Sequence, residues 1–491
     1  MFSFIISIAA LLLGYLVYGK FVEKVVGVDP SRVTPAVSKT DGVDFVPMPN
    51  WKVYMIQFLN IAGTGPIFGA IMGAKFGPSC YLWIVLGCIF AGAVHDFFTG
   101  MLSIRKDGAT FPEIVGSELR HGTGTIVMVF TTILLLMVGT VFVYSPALIL
   151  GDLAGDGSSR VVLIWALGIL GYYIIATLLP IDKLIGKIYP VFAIALLFMA
   201  VSMMVCLFVK WPAIPEFWDG MKNFAPTVGV KGQSIFPCLF ITVACGAVSG
   251  FHATQSPLMA RCIKSEKMAR PVFYGAMITE GVVALVWAAV SSYFFFDGGM
   301  QECGLSGASA PQVVTAVSRH WLGLVGSILA VLGVVAAPIT SGDTALRGAR
   351  INIADFFKMK QDKVGKRLII SIPIFAAVAL LLWFNVSNED GFNIIWRYFG
   401  LSNQTLSVFM FFTITMWLLR KYPRGWQFLI GAVPAAFMFT VCLTFFCMDK
   451  TCLSLPAAWT PYFATLWSVL AVALLAWMTV SARRKAKISV K

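Results

Sequence analysis

Charged residues are scarce in this sequence: Asp, Glu, Lys and Arg make up only 12% of its 491 residues, whereas an ordinary soluble domain carries about 25%. Hydrophobic residues make up 58%. A helix needs about 20 apolar residues to cross the roughly 30 Å hydrocarbon layer of a bilayer, and such runs recur along the chain. Because helices satisfy their own backbone hydrogen bonds in lipid, the sequence predicts an all-α integral membrane protein.

The sequence also lacks the residue patterns of common enzymes and metal sites. Its four histidines form no HExxH motif, no GxSxG motif is present, and its ten cysteines form no CxxC pair. These absences argue against hydrolases, zinc sites and dithiol redox centres. We therefore predict no enzymatic activity, no metal and no cofactor. Cys303 and Cys452 fall in loops predicted on the same outer side, where an oxidising compartment would allow a disulfide.

The formal net charge of +14 could suggest nucleic acid as a partner. The Lys and Arg residues, however, lie in short clusters between apolar runs, a distribution that favours membrane orientation over nucleic-acid binding. The basic connections that alternate correctly for one cytoplasmic side are residues 261–270, 347–367, 420–424 and 483–485. The pattern predicts a multi-pass protein of the cell (inner) membrane, with the N-terminus outside and the C-terminus cytoplasmic.

Apolar runs and helix-breaking residues together predict about thirteen membrane spans. The predicted spans are 3–22, 54–75, 79–104, 125–150, 160–180, 188–210, 235–262, 271–296, 321–346, 367–386, 393–420, 426–447 and 460–482. Spans 2 to 6 (54–210) and 7 to 11 (235–420) are predicted to form two five-helix units of opposite orientation, an inverted repeat. The flanking parts are the first span with a cytoplasmic loop (1–53), two C-terminal spans (426–482) and a basic tail (483–491).

The repeat is predicted from two similar stretches about 185 residues apart. Each is an apolar run that Gly, Ser, Thr and Pro interrupt, followed by a helix that carries a carboxylate. The first leads from residues 60–66 to Asp96, and the second from residues 246–257 to Glu280. A break at membrane depth persists only beside protein or a polar cavity. The positive end of a half-helix suits a carboxylate, and unwound carbonyl groups suit a cation.

We therefore predict a substrate site between segments 60–66 and 249–256. The candidate substrate-binding residues are Asn60, Gly63, Thr64, Gly65, Pro66, Ser249, Gly250, Phe251, His252, Thr254 and Gln255. The high density of polar residues within apolar surroundings favours a binding site. Gly246 and Gly250 could instead be small residues that let two helices approach closely.

Ionisable side chains inside spans are costly in a bilayer and are therefore functional candidates. The candidates for ion or proton coupling are His95 and Asp96 in span 3, Glu280 in span 8, and Thr340, Ser341, Asp343 and Thr344 at the end of span 9. A carboxylate that gains and loses a proton as access alternates would couple flux to a proton gradient, and His252 could share this role. The oxygen atoms of span 9 would suit a proton or a sodium ion. Alternatively, Asp96 and Glu280 brace helices, and the span 9 cluster is an ordinary helix C-terminus.

Three motifs resemble those of the carbon starvation protein A (CstA) family: residues 60–69 (NIAGTGPIFG), 91–97 (AGAVHDF) with 105–108 (RKDG), and 236–252 (FPCLFITVACGAVSGFH). The resemblance covers most of the chain, which looks like a compact member of the family. It implies a LeuT-like fold related to the amino acid, polyamine and organocation carriers, with spans 2 and 7 unwound. The family's Ala-Gly-Ala-Val-Gln-Asp pattern has His95 in place of Gln, so the pH response is expected to differ if this position touches the coupling site.

The resemblance also implies uptake of pyruvate or small peptides with protons. The leading hypothesis is a proton-coupled symporter of pyruvate or a similar small carboxylate, active during nutrient limitation, with sodium as an alternative coupling ion. A small-peptide or amino-acid symporter is the alternative within the same class. A channel or a membrane sensor is the alternative from a different class. The expected partners are a small organic anion or a short peptide and the lipid bilayer.

Overall fold

The computed structural model describes residues 1–154, 158–178, 185–230, 232–361, 363–388 and 391–488, which are helical with connecting loops and contain no β-strand. We number the helices at the predicted spans α1 to α13. Their bounds are α1 Phe2–Val26, α2 Asn50–Ile61 and Gly65–Ala74, α3 Ser79–Arg105, α4 His121–Leu153, α5 Ser159–Leu178, α6 Ile185–Lys210, α7 Ile235–Leu239, Phe240–Thr242 and His252–Ala260, α8 Glu266–Phe296, α9 Ala310–Phe356, α10 Val364–Ser387, α11 Gly391–Lys421, α12 Leu429–Met448 and α13 Thr460–Ile488.

Within the described part of the chain, ten helices are long and apolar enough to cross a membrane. The number is eleven if the two halves of α2, which are bent by 52°, form one span. Helices α7 and α11 lie at predicted spans but are not among these, since α7 is broken into short pieces and α11 carries several polar residues. The all-helical membrane architecture is confirmed, whereas the count of thirteen and the orientation of the termini stay predictions. The end of the predicted fifth span (179–180) and of the tail (489–491) lie outside the described residues.

Helices α2 and α7 are interrupted near the predicted segments and lie five helices apart, as the predicted repeat requires. In α2 the break covers residues 62–64, inside the predicted segment 60–66. In α7 the non-helical stretch is residues 243–251, so it begins and ends earlier than the predicted interrupted run 246–257, and only residues 249–251 of segment 249–256 are irregular. Thr254 and Gln255 lie inside the helix that begins at His252. The break in α7 therefore coincides with close backbone packing, and not with the densest run of polar side chains.

Helix α9 is longer than its predicted span of 321–346. The Arg-rich segment from 347 was predicted to be a cytoplasmic loop, but the helix continues to Phe356 and buries Arg347 and Arg350 completely. Arg350 lies 3.4 Å from the carboxylate of Asp44, and Arg347 donates to the carbonyl oxygen of Ala176 at 2.6 Å. Clusters of Arg usually mark solvated loops, but here a carboxylate and a carbonyl group inside the fold compensate the charges.

Two groups of helices define where the candidate residues lie. Helix α9 packs along α4 and α6, and the second half of α7 packs against α3 and the first half of α2. Helices α11, α12 and α13 pack in sequence, and α13 is the most exposed of the apolar helices. Cys303 and Cys452 are free thiols, so the conceivable disulfide between them is not formed.

Candidate functional site

Beside the break in α2, polar groups that lack hydrogen-bond partners among the described residues face the protein interior. Both polar atoms of the Asn60 amide and the hydroxyl of Thr64 are buried without a hydrogen-bond partner among the described residues. Around them the backbone is tightly packed: a Cβ atom at Gly63 would lie 2.5 Å from the Phe142 ring, and one at Gly65 would lie 2.2 Å from the sulfur of Cys245. Thr64 lies at the positive N-terminal end of the half-helix Gly65–Ala74, where a bound anion is favoured, and Asn60 lies at the end of the half-helix Asn50–Ile61.

The breaks of α2 and α7 lie against each other. A Cβ atom at Gly69 would lie 2.9 Å from the carbonyl oxygen of Thr242, and one at Gly246 would lie 3.7 Å from the Cα of Pro66. The side-chain amide of Gln57 donates to the hydroxyl of Ser256 at 3.2 Å. The structure therefore brings together the two segments that the sequence singled out. Gly69 and Gly246 allow this close approach, which agrees with the alternative interpretation of Gly246 as a packing residue.

Asn403 of α11 holds the broken part of α7 in place. Its side-chain oxygen accepts hydrogen bonds from the hydroxyl of Ser249 at 3.0 Å and from the backbone N–H of Phe251 at 2.6 Å. Its carbonyl oxygen accepts from the N–H of Gly250 at 3.1 Å, and a Cβ atom at Gly250 would lie 2.2 Å from that oxygen. The start of the half-helix His252–Ala260 is thus already occupied by protein, whereas the start of Gly65–Ala74 has no side-chain cap.

Asn403 was not among the residues predicted from the sequence. The available signal was the pair Asn403-Gln404 in the middle of predicted span 393–420, because two adjacent amides at membrane depth require partners. Gln404 has one: its amide donates to the carbonyl oxygen of Phe240 at 2.8 Å.

Replacing Asn403 by alanine is expected to destabilise the protein measurably. The substitution leaves the buried N–H of Phe251 without an acceptor, and an unsatisfied buried donor costs about 1–3 kcal/mol. We expect a lower apparent Tm of the purified Asn403→Ala protein in detergent. Asn388→Ala, which removes an exposed amide at the end of α10, is the control and should leave Tm unchanged. Equal Tm values for both variants would contradict this role.

Three of the predicted coupling residues, His95, Asp96 and Glu280, form one chain of side chains with His252, a predicted substrate-binding residue. Nδ1 of His95 lies 2.9 Å from one oxygen of Asp96, and Nδ1 of His252 lies 2.9 Å from the other. Nε2 of His252 is 3.5 Å from the carboxylate of Glu280. All four side chains are completely buried. They come from α3, from the first residue after the break in α7, and from α8, so the chain connects the break to two neighbouring helices.

The charge of this chain of four side chains is set by its own ionisable groups. It contains two carboxylates and two imidazoles, and within the described ranges no Lys or Arg side chain forms an ion pair with it. A buried charge without compensation costs several kcal/mol. Two ionised carboxylates in this chain would therefore be buried without a compensating Lys or Arg ion pair among the described residues.

The predicted ligands of span 9 form a second cluster beside α2. One oxygen of Asp343 accepts from the hydroxyl of Tyr189 at 2.9 Å, and the same hydroxyl lies 2.8 Å from the carbonyl oxygen of Thr340. Ser341 donates to the carbonyl oxygen of Leu59 at 2.8 Å, next to the break. The other oxygen of Asp343 is buried without a hydrogen-bond partner in the part of the chain that the structure describes.

This cluster is not an ordinary helix C-terminus, since α9 continues thirteen residues beyond Asp343 to Phe356. The hydroxyl of Thr344 donates to the carbonyl oxygens of Thr340 and Ser341, so it braces the helix itself. Tyr189 is a further residue that the sequence analysis missed, because an isolated Tyr in an apolar span is a common packing residue. The described residues include no group of three or more His, Cys, Asp and Glu side chains arranged to hold a metal ion.

The fold and the sequence are both similar to those of membrane transporters. The peptide transporter CstA of Escherichia coli (strain K12) is 26% identical over 89% of this chain and 79% of its own length. The pyruvate/proton symporter BtsT of the same organism is 28% identical over 58% of this chain and 48% of its own length. The structure of a Na⁺-coupled sialic acid symporter superposes with a TM-score of 0.56 at 14% identity and covers 97% of each chain.

The last of these similarities establishes only that this chain and the sialic acid symporter share a fold. The family assignment comes from the sequence. The family described as carbon starvation protein CstA matches residues 1–154, 157–321 and 308–445, which together cover most of the chain. The resemblance of the three motifs is thereby confirmed, and this chain belongs to the CstA family.

Proposed function

We propose that this chain takes up pyruvate or a similar small carboxylate together with protons. The observation that carries the proposal is the buried chain His95–Asp96–His252–Glu280, which passes through His252, the first helical residue after the break in α7. Ionisable groups at membrane depth are retained for function far more often than for stability. The name of the relative BtsT, a pyruvate/proton symporter, supports the same chemistry.

The substrate carboxylate is proposed to bind at the start of the half-helix Gly65–Ala74. This end carries the partial positive charge of the helix, and the unpaired groups of Asn60 and Thr64 are available to bind a carboxylate or a keto oxygen. The contacts that a Cβ atom would make at Gly63 and Gly65 leave little space there, which favours a substrate of a few heavy atoms. His252, Thr254 and Gln255 would contribute from α7.

Coupling is proposed to operate through the break in α7. Protonation of a carboxylate changes which of its hydrogen bonds to the imidazoles are favourable. His252 is the first residue of its half-helix and is rigidly attached to it. Protonation and substrate binding would therefore bias the same two conformations, which is the thermodynamic requirement for coupled transport. In this proposal the cluster at Asp343 holds a second cation, a proton or a sodium ion, beside α2.

A small-peptide symporter is the second candidate, because the relative that matches over most of this chain is named a peptide transporter. The chemistry of the site distinguishes a peptide symporter from a pyruvate symporter. A peptide has a free amino group as well as a carboxylate, so it would need an anionic partner close to Asn60, whereas pyruvate needs only donors.

Proteoliposomes with an acidic exterior test the proposal directly. A gradient of about one pH unit stores about 1.4 kcal/mol, enough for about tenfold accumulation of a carboxylate that enters with one proton. We expect labelled pyruvate to accumulate to about this level, to saturate with concentration, and to equilibrate when a protonophore is added. Dialanine and trialanine are the comparison substrates, and a sodium gradient replaces the pH gradient in a parallel arm. Accumulation of peptides alone would favour the second candidate, and no uptake of either class would refute both.

A further inference from the structure

A groove of about 1380 Å³ lies between α4, α11, α12 and α13, away from the breaks of α2 and α7. Its longest wall is one face of α11, whose lining residues recur at intervals of three and four. These residues include Leu401, Thr405, Val408, Phe412, Met416 and Leu419. Helix α12 adds Leu443 and Phe446, and α13 adds Trp477 and Met478. The lining is predominantly apolar.

The length of the groove matches the thickness of a bilayer. The lining residues of α11 extend from Tyr398 to Arg420, a distance of roughly 33 Å at 1.5 Å per residue. The hydrocarbon layer is about 30 Å thick. Helix α13 forms the outermost wall and is the least buried of the apolar helices. Only 17% of the residues in its apolar 18-residue stretch are buried inside the protein. The groove therefore faces lipid and not the substrate site.

The two ends of the groove differ in charge. Arg120 and Arg420 line one end, whereas Tyr398 and Cys452 line the other. Arg420 contacts the carboxylate of Glu118 at 2.7 Å, but Lys106 contacts the same carboxylate at 2.8 Å. Arg120 is exposed and forms no ion pair with any residue that the structure describes. One acidic side chain thus faces three basic ones, and this end carries a net positive charge.

We infer that the groove binds a phospholipid with an anionic headgroup. Arg120 and Arg420 would contact the headgroup phosphate, and the acyl chains would lie along the apolar face of α11 toward Leu401. The inference combines three features: an apolar wall of bilayer length, access from the lipid phase, and an excess of positive charge at one end only. Basic pockets between membrane helices select anionic over zwitterionic lipids by this combination.

Native mass spectrometry of the full chain, purified in detergent and titrated with phosphatidylglycerol or phosphatidylethanolamine, tests the inference. Each arginine near the headgroup strengthens binding of an anionic lipid about fivefold. We therefore expect a preference of about 5- to 25-fold for phosphatidylglycerol in the unchanged chain. The preference should disappear in the double variant Arg120→Gln, Arg420→Gln. Glu118 keeps Lys106 as its partner in that variant, so the local fold is preserved.

The matched control is Lys20→Gln with Lys24→Gln, which removes two exposed charges of α1 outside the groove and should keep the preference. A second variant, Leu443→Trp, fills the groove without changing its charge and should reduce retention of both lipids. Equal retention of the two lipids by the unchanged chain, or an unaltered preference in the arginine variant, would overturn the inference. A lipid-free dimer that Leu443→Trp dissociates would also overturn it and would assign the groove to a second copy of this chain.

Discussion

The Asp96→Asn variant is expected to insert into membranes normally and to lose proton-driven accumulation of pyruvate. Asp96 lies between two imidazoles at 2.9 Å, and among the described residues it alone joins His95 to His252. The amide of Asn has the same shape but cannot gain or lose a proton. A gradient of one pH unit should then give no accumulation, where the unchanged protein reaches about tenfold.

The measurement compares concentrative uptake with counterflow of pyruvate in the same proteoliposomes, because counterflow requires binding and alternating access but no net proton movement. Asp107→Asn is the matched control: it removes an exposed carboxylate, paired with Lys39 at 3.3 Å, in a loop after α3. The control should accumulate pyruvate as the unchanged protein does. Full accumulation by Asp96→Asn would exclude Asp96 from coupling.

The Asp343→Asn variant is expected to lose accumulation for a different reason. Its side chain is the one carboxylate in the cluster formed with Tyr189, Thr340 and Ser341, and one of its oxygens has no hydrogen-bond partner among the described residues. Without the negative charge a cation should no longer bind there, since a buried cation needs a compensating charge. The hydroxyl of Tyr189 can still donate to the amide oxygen of Asn, so folding should be preserved.

The readout is the dependence of initial uptake on external pH and on external sodium, measured separately. Asp343→Asn should abolish the dependence on whichever ion occupies the site and reduce accumulation to equilibration. Asp152→Asn, which neutralises an exposed carboxylate at the end of α4, should change neither. If Asp343→Asn retained the ion dependence and accumulation of the unchanged protein, the cluster would be a structural brace.

The membrane class, the helices and the two breaks could be predicted from sequence because each depends on local composition. Apolar runs of span length predict helices, and Gly with Pro predicts interruptions. The identity of the buried titratable residues followed from their cost in a bilayer. Their assembly did not: Asp96 and His252 are 156 positions apart, and only the packing of α7 against α3 brings them into contact.

The errors of the sequence analysis also have physical causes. The break in α7 was placed too late because polarity was taken as its signal. Thr254 and Gln255 satisfy part of their hydrogen-bonding capacity on an intact helix, whereas the actual break lies where Gly250 meets the backbone of α11. Arg347 was assigned to a solvated loop because nothing in its own segment indicates that Ala176, far away in the chain, accepts its hydrogen bond.

The uninterrupted helix from Asp343 to Phe356 links the cluster at Asp343 to the segment between α1 and α2. Arg350 follows Asp343 by two helical turns, roughly 10 Å along the axis, and contacts Asp44 in the segment between α1 and α2. That segment also pairs its backbone with the end of α7, where Val46 and Met48 donate to the carbonyl oxygens of Arg261 and Cys262. In the mechanism proposed above, a tilt of α9 on cation release would therefore move the segment between α1 and α2, which leads into α2 and is hydrogen-bonded to the residues after α7. Both broken helices could then respond together without a conformational change that passes through the substrate site.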